Sequence, residues 1–298
     1  MEISEGTVSV RGRRTWYRIA GPWPAEGTRP PLLVLHGGPG VPHGYLTDLD
    51  DMTSSGRTVV YYDQAGCGRS DPLDDPAEWT PDTFVEEVGA VREGLGLDRV
   101  HLFGHSWGGM LALEYALRRP PGLASLVLAG TCASVPLLAS EVRRLMDRLP
   151  AGVRETLARH EAAGTTDSAE YQEAAASFFT LWMCRLSPLP EHVARASAAV
   201  NAELYGAMLG AEWNITGTLA DWDVTERLGE LDRPVLVTTG RYDEITPAVV
   251  RPLVEGIRGA QWMVFEESAH LSTAEEPERY RAGLESFLSR VESDAQHP

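Results

Sequence analysis

The sequence predicts an α/β protein: one central, mostly parallel sheet of eight strands, helices on its faces, and a helical cap inserted after the sixth strand. Three observations carry this expectation. Short β-branched and aliphatic runs recur at Thr7 to Val10, Thr15 to Ile19, Pro31 to His36, Thr58 to Asp63, Val100 to Gly104, Ser125 to Gly130, Pro234 to Gly240 and Gln261 to Glu266. Helical signals lie between several of them, and strands that alternate with helices favour a parallel sheet. Between Ser134 and Trp222 the strand signal vanishes, and the composition turns rich in Ala, Leu, Glu and Arg.

The first two runs are too close for a crossover helix, so they pair as an antiparallel hairpin at the sheet edge. Later runs are nearly continuous apolar stretches, the pattern of parallel strands covered on both faces. Thr80 and Pro81, an N-cap residue followed by proline at the first helical position, open a helix that puts Phe84, Val88, Val91 and Leu95 on one face. Another helix opens at Gly108 and stops at Pro120-Pro121. In the insertion, Glu141 to Leu149 and Glu170 to Cys184 suit helices, and weakly apolar ends make the segment a cap rather than a free-standing domain. The expected division is a first core part over residues 1–133, a cap over 134–222 and a second core part over 223–298.

A chain of 298 residues buries about three quarters of its unfolded surface, so the core needs no covalent staples. With 26 basic against 43 acidic side chains, the net charge of -17 repels a phosphate backbone and excludes nucleic acid as a partner. Cys67, Cys132 and Cys184 are an odd number at unrelated spacings, which reads as free thiols in a reducing compartment. The acidic start lacks a signal-peptide pattern, and no apolar run approaches the ~20 residues of a membrane span. A cytoplasmic enzyme without membrane or nucleic-acid partners is expected. The sequence leaves the oligomeric state open, and a monomer is compatible with it.

The chemistry is concentrated at Gly104-His105-Ser106-Trp107-Gly108, where a strand runs through G-x-S-x-G into a helix. In that context the motif is a nucleophile elbow: glycines permit the sharp turn, and Ser106 is held with its hydroxyl exposed. A serine hydroxyl needs a histidine to take its proton and an acid to orient the histidine. Asp243 follows the seventh run and His270 follows the eighth, both at carboxyl ends of strands, where α/β sheets place their sites. Glu244 is a rival acid; Asp221 and Asp223 are others, but they precede the seventh strand. The developing oxyanion needs two N–H donors, one from Trp107 and one from the loop Gly37-Gly38-Pro39-Gly40, with Gly38 the candidate. That loop could instead cradle phosphate, but no P-loop lysine follows it.

His36-Gly-Gly-Pro-Gly40, Asp63-Gln-Ala-Gly-Cys-Gly-Arg-Ser70 and Gly104-His-Ser-Trp-Gly-Gly109 together resemble the motif set of the proline iminopeptidase family of α/β-hydrolases. Asn214 to Gly217, Asp221-Trp-Asp223 and Tyr242 to Pro247 resemble especially its tricorn-interacting aminopeptidase branch. The resemblance implies a cap that closes the far end of the site and two carboxylates, Glu212 and Glu244, that receive the free α-amine of a substrate. It implies no metal and no cofactor. Ala65 stands where the family often has arginine, and His105 where it often has a small residue, so the preferred N-terminal residue is left open. His105 is expected to pack under the elbow with its side chain turned away from Ser106.

The resulting reading is a serine aminopeptidase that releases proline or another, often hydrophobic, residue from short peptides or aminoacyl amides. An esterase or amide hydrolase acting on a small or biosynthetic aminoacyl compound is an alternative, since one triad cleaves both bonds. A non-catalytic ligand-binding protein on the same fold is the other.

Overall fold

The computed structural model describes residues 1–23 and 29–296. Its central sheet has eight strands: β1 Ile3–Val10, β2 Arg13–Ala20, β3 Leu32–Leu35, β4 Val59–Tyr62, β5 Val100–His105, β6 Leu123–Ala129, β7 Val235–Gly240 and β8 Gln261–Phe265. Their spatial order is β1-β2-β4-β3-β5-β6-β7-β8. The β1–β2 and β2–β4 pairs are antiparallel and every other pair is parallel. All eight sequence runs thus become strands, and the first two form the edge hairpin.

Side-chain alternation divides the core in two. Leu33, Leu35, Val60, Tyr62 and Leu102 face one layer, whereas Leu32, Val34, Val59, Tyr61 and Phe103 face the other. The first layer holds α1 (Pro81–Gly94), capped by Thr80 as the sequence predicts, and α2 (Trp107–Leu117). Every residue of α2 except Glu114 is buried, so the helix is enclosed, packed on the sheet at β5 and β6 and covered by other elements, α1 among them. It starts at Trp107, one residue before the expected Gly108. The second layer holds the long α10 (Pro277–Gln296) and a thirteen-residue 3₁₀ segment, His43–Ser55. Leu46, Leu49 and Met52 are buried there at a spacing of three, which matches three residues per turn.

Between β6 and β7 the chain forms the helical cap, with α3 Val135–Met146, α4 Ala151–Ala163, α5 Ala169–Phe178, α6 Glu191–Ala198 and α7 Ala202–Met208. A π-helical turn, Phe179–Met183, extends α5. The insertion also contains a small antiparallel hairpin, Gly210–Ala211 with Asn214–Ile215, where the sequence showed no strand signal. Two-residue strands are too short for any periodicity to reveal. Beyond the cap lie α8 Pro247–Gly256 and α9 Ser272–Glu275. All three cysteines are free and buried. Among the described residues no helix is long and apolar enough to cross a membrane.

One ionic network ties α10 to the sheet. Arg57 is fully buried; its Nη1 donates to Glu292 Oε1 at 2.6 Å and to Pro30 O at 3.2 Å. His101 Nε2 lies 3.1 Å from the same Glu292 oxygen, and Arg29 Nε donates to Glu292 Oε2 at 3.0 Å. Removing one member of a buried pair strands its partner's charge, at a cost of about 3–5 kcal/mol. Arg57→Met is therefore expected to lower the unfolding free energy by about 3 kcal/mol while the folded fraction keeps its activity. Urea unfolding followed by fluorescence measures this, and an unchanged midpoint would show the network to be energetically neutral.

Candidate active site

The carboxyl ends of β5, β6, β7 and β8 bring the candidate residues together. At the end of β5 the chain turns sharply into α2, and Ser106 sits in the turn at φ 56° and ψ -124°, a conformation rare for a residue with a side chain. The flanking glycines are required by contact: a side chain at Gly104 would come within 2.2 Å of Gly108 O, and one at Gly108 within 2.1 Å of Leu35 O. Ser106 N donates to Ala129 O at 2.9 Å, and Thr131 Oγ1 donates to Ser106 O at 2.8 Å, which fastens the elbow to the end of β6.

Gly130, between those two anchors, meets the other candidates. A Cβ on it would lie 3.1 Å from both Asp243 Oδ2 and His270 Nδ1. His270 Nδ1 is 2.8 Å from Asp243 Oδ1, which also accepts from Ile245 N at 2.8 Å. Both side chains are buried. Burial alone would lower the His270 pKa, but the charge and hydrogen bond of Asp243 outweigh it and raise it. With its Nδ1 hydrogen given to Asp243, the imidazole keeps Nε2 as a base.

The rival acids fall elsewhere. Asp223 Oδ1 accepts from Thr225 N at 2.8 Å, at the start of the 3₁₀ turn Thr225–Glu230, and Asp221 is exposed. Glu244 is buried but faces Glu212 of the cap, not His270. Burial first, then the negative charges of Glu212 and Asp243, push the Glu244 carboxyl well above the usual carboxylate range. Glu244 Oε2 has no hydrogen-bond partner among the described residues. Glu212 lies in the turn of the small cap hairpin and accepts from Tyr205 Oη. The two carboxyl groups named from the sequence are thus neighbours next to Asp243; their mutual repulsion keeps a proton on Glu244, and an entering cation would relieve that repulsion and favour the ionised form.

Trp107 opens α2, so its backbone N–H is among those without an intrahelical acceptor. Gly38, at φ 111°, admits no side chain, since a Cβ there would lie 2.6 Å from Gly40 N. Gln64 joins the two loops, a link the sequence did not reveal. Its side-chain oxygen accepts from Trp107 Nε1 at 2.9 Å, while its Nε2 donates to His36 O at 2.9 Å. His36, Asp63 and Cys67 also lie together. His36 Nε2 already accepts Gln64 N–H at 2.9 Å, and Asp63 accepts from Arg69 N at 2.9 Å and meets His43 Nδ1 at 2.8 Å, which makes the cluster a hydrogen-bonded loop anchor.

His105 is buried, as expected, but its role differs from inert packing. Its Nε2 is 3.0 Å from the backbone oxygen of His270, and its Nδ1 is 2.9 Å from Tyr45 Oη. Nothing in the local sequence marks that reach, which spans 165 residues.

Residues 30–277 match the α/β hydrolase fold family. The proline iminopeptidase of Saccharolobus solfataricus is 36% identical over 296 residues, covering 98% of this chain and 94% of that one. The crystal structure of VinJ superposes with a TM-score of 0.93 at 39% identity, covering 97% of this chain and 99% of that one. That of proline iminopeptidase from Mycobacterium smegmatis gives a TM-score of 0.90 at 41% identity, covering 98% and 100%. Similarity of this extent, over a fold and elbow of this kind, means that the chain belongs to the proline iminopeptidase family of α/β-hydrolases.

Proposed function

We propose that this serine hydrolase is an aminopeptidase that releases the N-terminal residue of a short peptide or aminoacyl amide through an acyl-enzyme. The observation that carries the reading is the buried Glu244 carboxyl, beside Asp243 and facing the half-buried Glu212 of the cap. An esterase that recognises no charge has no use for two facing carboxylates, whereas a site that receives an ammonium does.

In this reading Ser106 Oγ attacks the first carbonyl of the substrate while His270 Nε2 takes its proton. Asp243 holds the imidazole in the required tautomer and stabilises the imidazolium. The tetrahedral oxyanion is met by Trp107 N–H and Gly38 N–H. His270 then protonates the departing amine, and water, activated by the same imidazole, releases the amino acid. Glu212 and Glu244 hold the substrate ammonium, which fixes the scissile bond one residue from the free end. The cap restricts what extends past it, so short chains and small aminoacyl compounds fit.

A panel of chromogenic aminoacyl amides and esters, each with a free and an acetylated amine, tests the proposal. Free-amine substrates are expected to react at least about 100-fold faster, because acetylation deletes a charge worth several kcal/mol in a partly dry site. Equal rates on both series would retire the aminopeptidase reading in favour of an esterase.

A further inference from the structure

The mechanism above leaves one buried group next to it unused. His105 precedes the nucleophile, and its hydrogen bonds have a direction that its partners determine. The His270 backbone oxygen, 3.0 Å from His105 Nε2, can only accept, so Nε2 carries the hydrogen. Burial, and then the charge of the neighbouring His270, hold the His105 pKa well below the usual range, so the ring is neutral. Nδ1 is then a bare lone pair, and Tyr45 Oη, 2.9 Å away, is its donor. Burial also raises the Tyr45 pKa, which keeps that hydrogen on the phenol. With its hydrogen committed to His105, Tyr45 Oη accepts from Gly37 N–H at 2.7 Å.

We propose that Tyr45 and His105 form a positioning relay that holds the oxyanion loop and the loop carrying the general base in fixed register. The proposal rests on the roles given above to Ser106, His270 and Gly38. At one end the relay holds Gly37, the residue whose carbonyl carbon forms the peptide to Gly38 N. At the other it holds the His270 carbonyl, while the His270 N–H donates to Trp182 O of the cap at 3.2 Å. Both backbone groups of His270 are therefore held, one from the core and one from the cap. The His105 ring lies 4.5 Å, centroid to centroid, from the His270 ring and narrows the space in which it can swing. Neither Tyr45 nor His105 donates to the reacting atoms, so their effect is on the placement of groups that do.

Three substitutions separate placement from packing. His105→Leu keeps bulk and removes both hydrogen bonds, His105→Gln returns an amide N–H to the position of Nε2, and Tyr45→Phe removes one hydroxyl. The measurements are kcat and KM on the best free-amine substrate, the rate of Ser106 labelling by a fluorophosphonate, and thermal melting. Misplacement by about 1 Å costs on the order of 100-fold in rate. His105→Leu is expected to lose about 10- to 100-fold in kcat and labelling together, with KM changed less than about 3-fold. His105→Gln is expected to recover most of that loss, and Tyr45→Phe to lose about 5- to 10-fold by itself. Because Tyr45→Phe is nearly isosteric, it remains informative even if His105→Leu fails to fold. Wild-type kcat and labelling in Tyr45→Phe would overturn the relay, as would a His105→Leu loss that His105→Gln does not recover. A wild-type Ser106 that resists the probe would overturn the nucleophile assignment, and the relay with it, so the two failures are distinguishable.

Discussion

Alanine in place of Ser106 is expected to leave a folded protein whose kcat falls by a factor on the order of 10⁴ to 10⁶. The elbow is held by backbone contacts, through Ala129 O and Thr131 Oγ1, which the substitution leaves in place. Asp243→Asn is expected to cost about 10⁴ in kcat, because the amide can present its N–H to His270 Nδ1 and fix the wrong tautomer. Asp223→Asn and Asp221→Asn, which sit away from His270, are expected to stay within about 3-fold of wild type. Steady-state kinetics with circular dichroism as the folding control measures all four. Substantial turnover by Ser106→Ala would remove it as the nucleophile, and a near-normal Asp243→Asn would mean that another acid orients the base.

The second large effect belongs to the carboxylate pair. Glu244→Gln or Glu212→Gln is expected to cost about 2–5 kcal/mol of transition-state binding with free-amine substrates, roughly 30-fold to several thousandfold in kcat/KM. With acetylated substrates the same variants are expected to differ little from wild type. Stability supplies an independent readout with the opposite sign. Glu244 binds its proton more tightly in the folded chain than an unfolded glutamate does, so stability erodes as pH rises from the ordinary carboxylate range toward the raised folded value. Glu244→Gln removes that erosion. The variant is expected to melt at least about 2 °C above wild type at pH 7, and the difference is expected to vanish near pH 4. Equal losses on both substrate series, or a Glu244→Gln protein that melts lower at pH 7, would refute the amine-pocket role.

How far the sequence spoke depended on the range of the interaction. The strands were legible because runs such as Leu32–Leu35 and Val235 to Val237 are apolar on both faces, and α1 because Thr80-Pro81 is a local start signal. Ser106 could be named from its flanking glycines, and Asp243 and His270 from their position after strands. The family resemblance added Glu212 and Glu244. The structure put the two glutamates side by side and paired His270 with Asp243 rather than with its rivals. What stayed hidden was made by long-range contact. Tyr45 meets His105 across 60 residues of chain, and Gln64 meets Trp107 across 43, with no periodic or motif signal at either end. The 3₁₀ segment His43–Ser55 carries only four buried apolar side chains, Tyr45, Leu46, Leu49 and Met52, among polar residues such as Asp48, Asp50 and Asp51, too weak a stripe to stand out in the sequence.

The π-helical turn that carries Trp182 and Met183 gives the cap more than a shielding role. Trp182 O and Met183 O accept the backbone N–H groups of His270 and Leu271, each at 3.2 Å. A cap that swung away along this edge would break both bonds and leave the segment bearing the proposed base held from the core side alone, by Asp243 and His105. In the proposed mechanism, a long polypeptide that displaced the cap along this edge would slacken the mounting of the base it needs, so cap closure and the seating of His270 are coupled through two main-chain hydrogen bonds.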